Sequence, residues 1–318
     1  MSDAKKSRRK AKAAPKPESR PSRVARILGV LWQPFPLLTT ALALSAVMFW
    51  PEIVRQLPDL RDRPEYQLSW SRITTSPAGR WVPPDLVSQV QKRSGLPDPL
   101  PMLDEGLVEK LSFAFARHPW VAEVQSVAKT GPQDIIVKMR FRAPVLMVRT
   151  RYGLYPVDRE GILLPPSDFA ASDAERFPVV DQVRSVPSGP AGTTWGDESV
   201  HGAARLAEAL TSEGSRTSSW ESFGMAKISV LAPNQPATSM DEVTLEITTN
   251  DHSQIVWGRP PGADALEPTV EQKLLRLEKH LPRYGETGWS SSPVRLDVRW
   301  WDVIDKVELS QETEAQNH

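Results

Sequence analysis

Residues 126 to 131, Ser126-Val127-Ala128-Lys129-Thr130-Gly131, carry the one pairing in this sequence with the residue types for acyl transfer. A serine three positions before a lysine is the pattern of a nucleophile and its base, and Lys-Thr-Gly is the pattern of the strand that closes the same pocket. Both patterns here share Lys129, and one lysine cannot approach a serine from a helix and from a facing strand at once. The overlap disqualifies both, and the accompanying Ser-x-Asn pattern is missing. His118, His201, His252, His280 and His318 are scattered without i, i+4 pairing or metal-ligand spacing, which makes them surface residues and not ligands. Cysteine is absent, so disulfides, thiolate metal sites and cysteine nucleophiles are excluded. No Gly-rich phosphate loop, nucleophile elbow or metalloprotease pattern occurs. The expectation is a protein with no catalytic residues, no metal, no cofactor and no small-molecule substrate.

The elements around these residues begin with a division of charge. The chain has 318 residues, with 39 Lys/Arg against 39 Asp/Glu. Residues 1–50 hold ten Lys/Arg and two Asp/Glu, a balance of +8, which leaves 29 against 37, or −8, for the remainder. Residues 1–26 read as a basic, disordered tail too polar to bury a core. Lys5, Lys6, Arg8, Arg9 and Lys10 have no interleaved aromatic residue to stack on bases, so a topology signal is favoured over nucleic-acid binding. Ile27 to Trp50 contains no ionisable side chain, and 24 residues as a helix would cover about 36 Å, enough for a bilayer. Trp32 and Trp50, about 27 Å apart on the same rise, are placed at its two interfaces. The run ends in Trp50-Pro51-Glu52 and not in small residues, which argues against a cleaved leader. The reading is a transmembrane helix over 27–50, a cytoplasmic tail, and an extracytoplasmic remainder.

Beyond it, Pro51, Pro58 and Pro64 mark 51–65 as a stalk. Residues 66–144 form a first unit: strand-like Tyr66 to Thr75, a short helix with Leu86, Val87 and Val90, a stronger one with Leu107, Leu111 and Phe115, then a hairpin. In its second strand Val137, Met139 and Phe141 alternate with Lys138, Arg140 and Arg142, an apolar and a basic face. Residues 145–309 form a β-rich unit with an antiparallel sheet and flanking helices, and 310–318 a disordered tail. Its helices show Val200, Ala204, Ala207 and Leu210 on one stripe and Val270, Leu274, Leu277 and Leu281 on another. Pro187 to Gly196 reads as an insertion. The fold class is α+β.

The ordered set of short motifs resembles the FtsQ/DivIB family of bacterial cell-division proteins. His118-Pro119-Trp120-Val121-Ala122, Arg142-Ala143-Pro144-Val145, Val157-Asp158-Arg159-Glu160-Gly161, Phe177-Pro178-Val179-Val180, Ile255-Val256-Trp257-Gly258 and Val294 to Trp300 carry the resemblance. It implies a POTRA-like domain before the β domain and a non-enzymatic, single-span scaffold at the septal inner membrane. Its partners would be coiled-coil proteins similar to FtsB and FtsL. A POTRA-bearing envelope assembly factor and a membrane-anchored cell-wall enzyme are the alternatives. The family's binding face implies Arg295, Asp297, Arg299, Trp300, Trp301, Val303 and Asp305 as partner-binding residues. Strand addition to a terminal strand is an independent physical reason to look there. If Val294, Leu296 and Val298 are core, Arg295, Asp297, Arg299 and Trp301 are presented.

Overall fold

The structure is a computed structural model that describes residues 34–56, 63–211, 218–231, 235–280 and 292–309. The chain divides into two compact units, Met1–Leu60 and Arg61–His318. In the first, helix α1, Pro34–Gln56, is 23 residues long and has Pro51 inside it. Its start lies inside the apolar run, and it continues past the run through Glu52. Among the described residues no helix is long and apolar enough to cross a membrane. This overturns the transmembrane helix over 27–50, and with it the single-span scaffold and the inner-membrane, septal placement. Residues 27–33 and Trp32 lie outside the described residues, and Trp50 is an exposed residue of α1.

The second unit contains two hydrophobic cores. The first gathers β1 (Gln67–Leu68), β2 (Ile73–Thr75), α2 (Leu86–Ser94), β3 (Leu100–Pro101), α3 (Leu107–Ala116), β4 (Val121–Gly131) and β5 (Asp134–Phe141). β1 pairs with β3, and β2, β5 and β4 form a three-stranded sheet in that order. The apolar stripe of α3, Leu107, Leu111 and Phe115, packs with Ile135, Val137 and Met139 of β5. The outward cations of β5 do not form one patch. Arg140 lies 3.6 Å from Glu123, and Arg142 lies 2.7 Å from a buried Asp158. Lys129 and Ser126 lie on one strand, β4, three residues apart and so on opposite faces, and the Lys129 ammonium donates to the carbonyls of Met102 and Asp104.

The second core covers one face of an eight-stranded sheet ordered β13-β12-β11-β10-β9-β8-β6-β7. Its strands are β6 (Pro144–Thr150), β7 (Gly153–Asp158), β8 (Val179–Asp181), β9 (Met225–Val230), β10 (Leu245–Thr249), β11 (Gln254–Gly258), β12 (Val294–Asp297) and β13 (Asp305–Glu308). The sheet is mixed, which corrects the antiparallel expectation: β6–β8, β8–β9 and β11–β12 are parallel. Parallel neighbours need a crossover, and helices sit in two of the connections. Helix α4, Glu198–Thr211, lies between β8 and β9, and α5, Val270–His280, between β11 and β12. The segment expected to be an insertion is integral: Trp195 is buried and its amide donates to the Gly161 carbonyl, while Leu163 donates its amide to the Thr193 carbonyl and accepts the Gly192 amide. Gly192, at φ +96, lets the backbone approach Pro119, whose Cα would lie 3.2 Å from a Cβ there.

The two cores share a seam. Leu164 and Phe169 pack into the first core although they follow β7. The Phe169 ring stacks on Trp81 at 5.4 Å and on Trp120 at 5.9 Å. The Trp120 indole donates to Asp168 at 2.7 Å. Asp158 accepts from Arg142 through one carboxylate oxygen and from the Glu160 and Ile162 amides through the other. That arrangement ties the turn ending at Gly161 to the chain that leaves β5.

His118 departs from the surface role expected of it, being 3 % exposed. Its Nδ1 accepts the Trp120 amide at 3.3 Å, so Nε2 carries the proton and donates to Gln89 Oε1 at 3.2 Å. Burial first, and then the Arg93 charge, push its pKa down to about 4, against the opposing pull of Asp168 and Asp85. A histidine held neutral in the fold contributes stability that is present above its unfolded value of 6.5 and lost as pH falls through 4. Between these limits the loss is about 3 kcal/mol. Urea unfolding of the chain and of His118→Gln across this window should show the variant lacking that part of the acid-side decline; parallel curves would mean that His118 is protonated in the fold.

Candidate functional site

Strand β12 sets the geometry of the terminal hairpin. Val294, Leu296 and Val298 are fully buried toward the helices, so Arg295, Asp297 and Arg299 fall on the opposite side. These three charges are already engaged within the fold. Arg295 pairs with Glu246 at 2.9 Å. Arg299 forks onto Asp297, with Nε and Nη2 at 3.0 and 2.6 Å from its two oxygens. Burial works to raise the Asp297 pKa, and the Arg299 hydrogen bonds overcome it and leave the carboxyl below its ordinary value. Burial raises Glu246 in spite of Arg295.

Neither Trp300 nor Trp301 enters the core: they are 58 % and 56 % exposed. Both lie in the loop after β12, where strand alternation no longer forces one inward. The Trp301 indole donates to the Leu266 carbonyl at 3.0 Å, and Arg299 sits over the Trp300 ring at 5.9 Å. Val303 and Val307 are exposed, as is Asp305, and the Leu266 side chain is almost wholly so. Leu266 and Val307 were not among the residues selected from sequence, and a lone leucine in a Pro-rich stretch gives no periodic signal to find it by.

Helix α5 holds this hairpin in place. The Arg276 guanidinium donates to the carbonyls of Val298, Trp300 and Val303, spanning the loop from inside. One turn earlier, Lys273 is 2 % exposed and donates to the Trp257 carbonyl and to Glu267, both at 2.7 Å. The same Glu267 oxygen accepts the Arg259 amide at 3.1 Å. Burial lowers the Lys273 pKa against the pull of Glu267. Gly258, at φ +90, is required here, because a Cβ would fall on the Glu267 carboxylate and the Arg299 side chain.

The backbone of β13 follows from its register. The pairs are Val294↔Glu308, Arg295↔Val307, Leu296↔Lys306 and Asp297↔Asp305, and the Leu309 amide donates to the Pro293 carbonyl at 2.9 Å. Facing residues in an antiparallel ladder alternate between bonded and non-bonded pairs. Arg295/Val307 and Asp297/Asp305 are therefore bonded, and the N–H and C=O groups of Lys306 and Glu308 point out of the sheet. All four residues of β13 are exposed.

The opposite edge is closed. β7 contains Pro156, which has no N–H to offer, and its flank is bridged by Val157↔Leu163 and by the Leu164 amide on the Pro156 carbonyl. In the smaller sheet, edge strand β4 is interrupted by three register shifts. Among the described residues no group of three or more His, Cys, Asp or Glu side chains could hold a metal ion.

No family model matches the chain, and no curated protein matches it. Together with the absence of a membrane-spanning helix among the described residues, this corrects the FtsQ/DivIB resemblance and the POTRA and divisome assignments that followed from it. The short motifs that carried the likeness have structural work of their own here, as in the Arg142–Asp158 pair and the Trp120–Asp168 bond.

Removing one partner of a buried ion pair leaves the other uncompensated and costs about 3–5 kcal/mol. Lys273→Met should accordingly lower unfolding free energy by about 3 kcal/mol. The double change Lys273→Met with Glu267→Gln should recover part of that loss, and denaturant titration of the three proteins reads the coupling directly.

Proposed function

We propose that residues 61–309 form a non-catalytic protein-docking module that takes an extended segment of a partner protein as an added strand along β13. The observation that carries this reading is the outward-facing backbone of Glu308 on β13, a terminal strand that pairs with no second strand among the described residues. An added strand gains affinity from main-chain bonds, and the side chains beside it set the choice of sequence. Here those side chains are Val307 and Val303, the two tryptophans and Leu266, with Asp305 supplying charge. Arg295, Asp297 and Arg299 support the edge through their mutual pairs and do not offer free charge to a partner. The reading needs no cofactor, nucleic acid or small-molecule substrate.

Proline tests the geometry. Glu308→Pro removes an N–H that points out of the ladder, so the fold should survive with a melting temperature within a few degrees of the parent. Display selection of extended peptides on the full chain should give binders that slow hydrogen exchange at the Glu308 amide and lose about tenfold or more in affinity on Glu308→Pro. Peptides that bind the proline variant equally well would remove strand addition at this edge.

A further inference from the structure

A second surface lies at the other end of the molecule's chemistry, between α2 and α3 in the first core. The two helices leave a cavity of about 450 Å³ floored by Val90 and Leu96. Its rim carries Arg93, Lys110 and Arg117, and Phe113 stands beside them 64 % exposed, with the Arg117 guanidinium 5.4 Å from its ring centre. Lys110 is answered by Asp104 at 2.6 Å. Among the described residues Arg93 and Arg117 form no ion pair with a carboxylate. Cations in the last turn of α2 and at the end of α3 complement the helix dipoles, and that accounts for a positive charge at each helix end. It does not account for an open apolar floor beneath them or for a phenylalanine held in solvent at the rim. The setting sharpens the contrast, since the chain beyond residue 50 carries 29 basic against 37 acidic residues. A basic cleft on an acidic body concentrates negative partners.

We infer that this groove docks an acidic segment of a partner protein, with an aliphatic or aromatic side chain seated on Val90 and Leu96 and carboxylates on Arg93 and Arg117. The combination selects the occupant. A free phosphate would satisfy the guanidinium groups and leave the floor and Phe113 without a purpose, whereas a purely apolar ligand would strand two cations beside it. Guanidinium groups suit carboxylates because their planar fork matches two oxygens at once. The inference does not depend on strand addition at β13, because the groove lies between α2 and α3 and β13 ends the eight-stranded sheet of the other core.

A random peptide library displayed against the full chain, with parallel selection against Arg93→Glu/Arg117→Glu, tests it. Both side chains are exposed, so the double variant should remain folded, melting a few degrees below the parent because Glu opposes the dipole at each helix end. The expected peptides pair Asp or Glu with an aliphatic or aromatic anchor. They should bind the double variant at least about tenfold more weakly and Phe113→Ala several-fold more weakly, and should be indifferent to Glu308→Pro. The inference is overturned if selection yields no binders at this groove or binders without acidic bias, if affinity survives in the double variant, or if inorganic phosphate displaces the peptides at constant ionic strength.

Discussion

An open β-sheet ends in two strands, each with a row of N–H and C=O groups that the ladder cannot reach. Every such row must be met by solvent, by another part of the chain or by another molecule. In the eight-stranded sheet the two ends are treated differently. At β7 the row is broken by Pro156 and covered by the segment around Leu163, which is itself bonded to the loop carrying Gly192 and Trp195. At β13 no further strand among the described residues pairs with the row. The asymmetry matters because β13 is four residues long and bonded on one side alone. A strand that short is poorly held by its own ladder, and its geometry depends on what lies beneath it.

Helix α5 supplies that support through two cations with different tasks. Lys273 is buried against Trp257 and Glu267, a costly placement for an ammonium unless its donors are satisfied. Two hydrogen bonds at 2.7 Å satisfy it and join the end of β11, the Pro-rich segment and the helix at one point. Arg276 reaches the other way and collects three carbonyls of the loop that leads into β13. The planar guanidinium can serve several acceptors that a single ammonium could not reach. A loop bonded in this way presents Trp300, Trp301 and Val303 in fixed positions, which lowers the entropy lost when a partner is engaged.

Where one face of an element is buried and the other wet, its register was readable from residue order. Val137 and Met139 are buried while Lys138 and Arg140 are exposed, and Leu107, Leu111 and Phe115 share one buried stripe. The same logic grouped Val294, Leu296 and Val298 on one face and left open which face is buried. It failed at Trp300 and Trp301, one of which alternation would send inward, since β12 ends at Asp297 and a loop has no obligation to alternate. Parallel pairing escaped notice because it depends on which strands a crossover brings together, and no residue in β8 or β12 records its neighbour. His118 was misplaced for a related reason: its burial comes from Gln89 and Trp120, which only the fold brings to it. The apolar run from Ile27 was legible as composition, but among the described residues the helix that carries part of it also takes in Pro51 and Glu52 and is not long and apolar enough to cross a membrane. Leu266 and the outward amides of β13 had no sequence signature, because one is a solitary side chain and the others are backbone.

The seam between the two cores decides whether the groove and the edge belong to one rigid body. Arg142 and Asp158 are nearly removed from solvent, and the carboxylate is saturated by a guanidinium and two amides. The rings of Trp81, Phe169, Phe177 and Trp120 pile up beside them, and Trp120 is pinned by Asp168. An ion pair alone would hinge, and stacked rings alone would slide. Together they resist both motions, since rotating one core against the other would strand a buried charge and open an apolar contact at the same time. A partner long enough to reach both surfaces would meet them at a fixed separation, and its second contact would form as an intramolecular step. Local changes at one surface should then leave the other unaltered, because the seam, and neither surface, carries the structural connection between them.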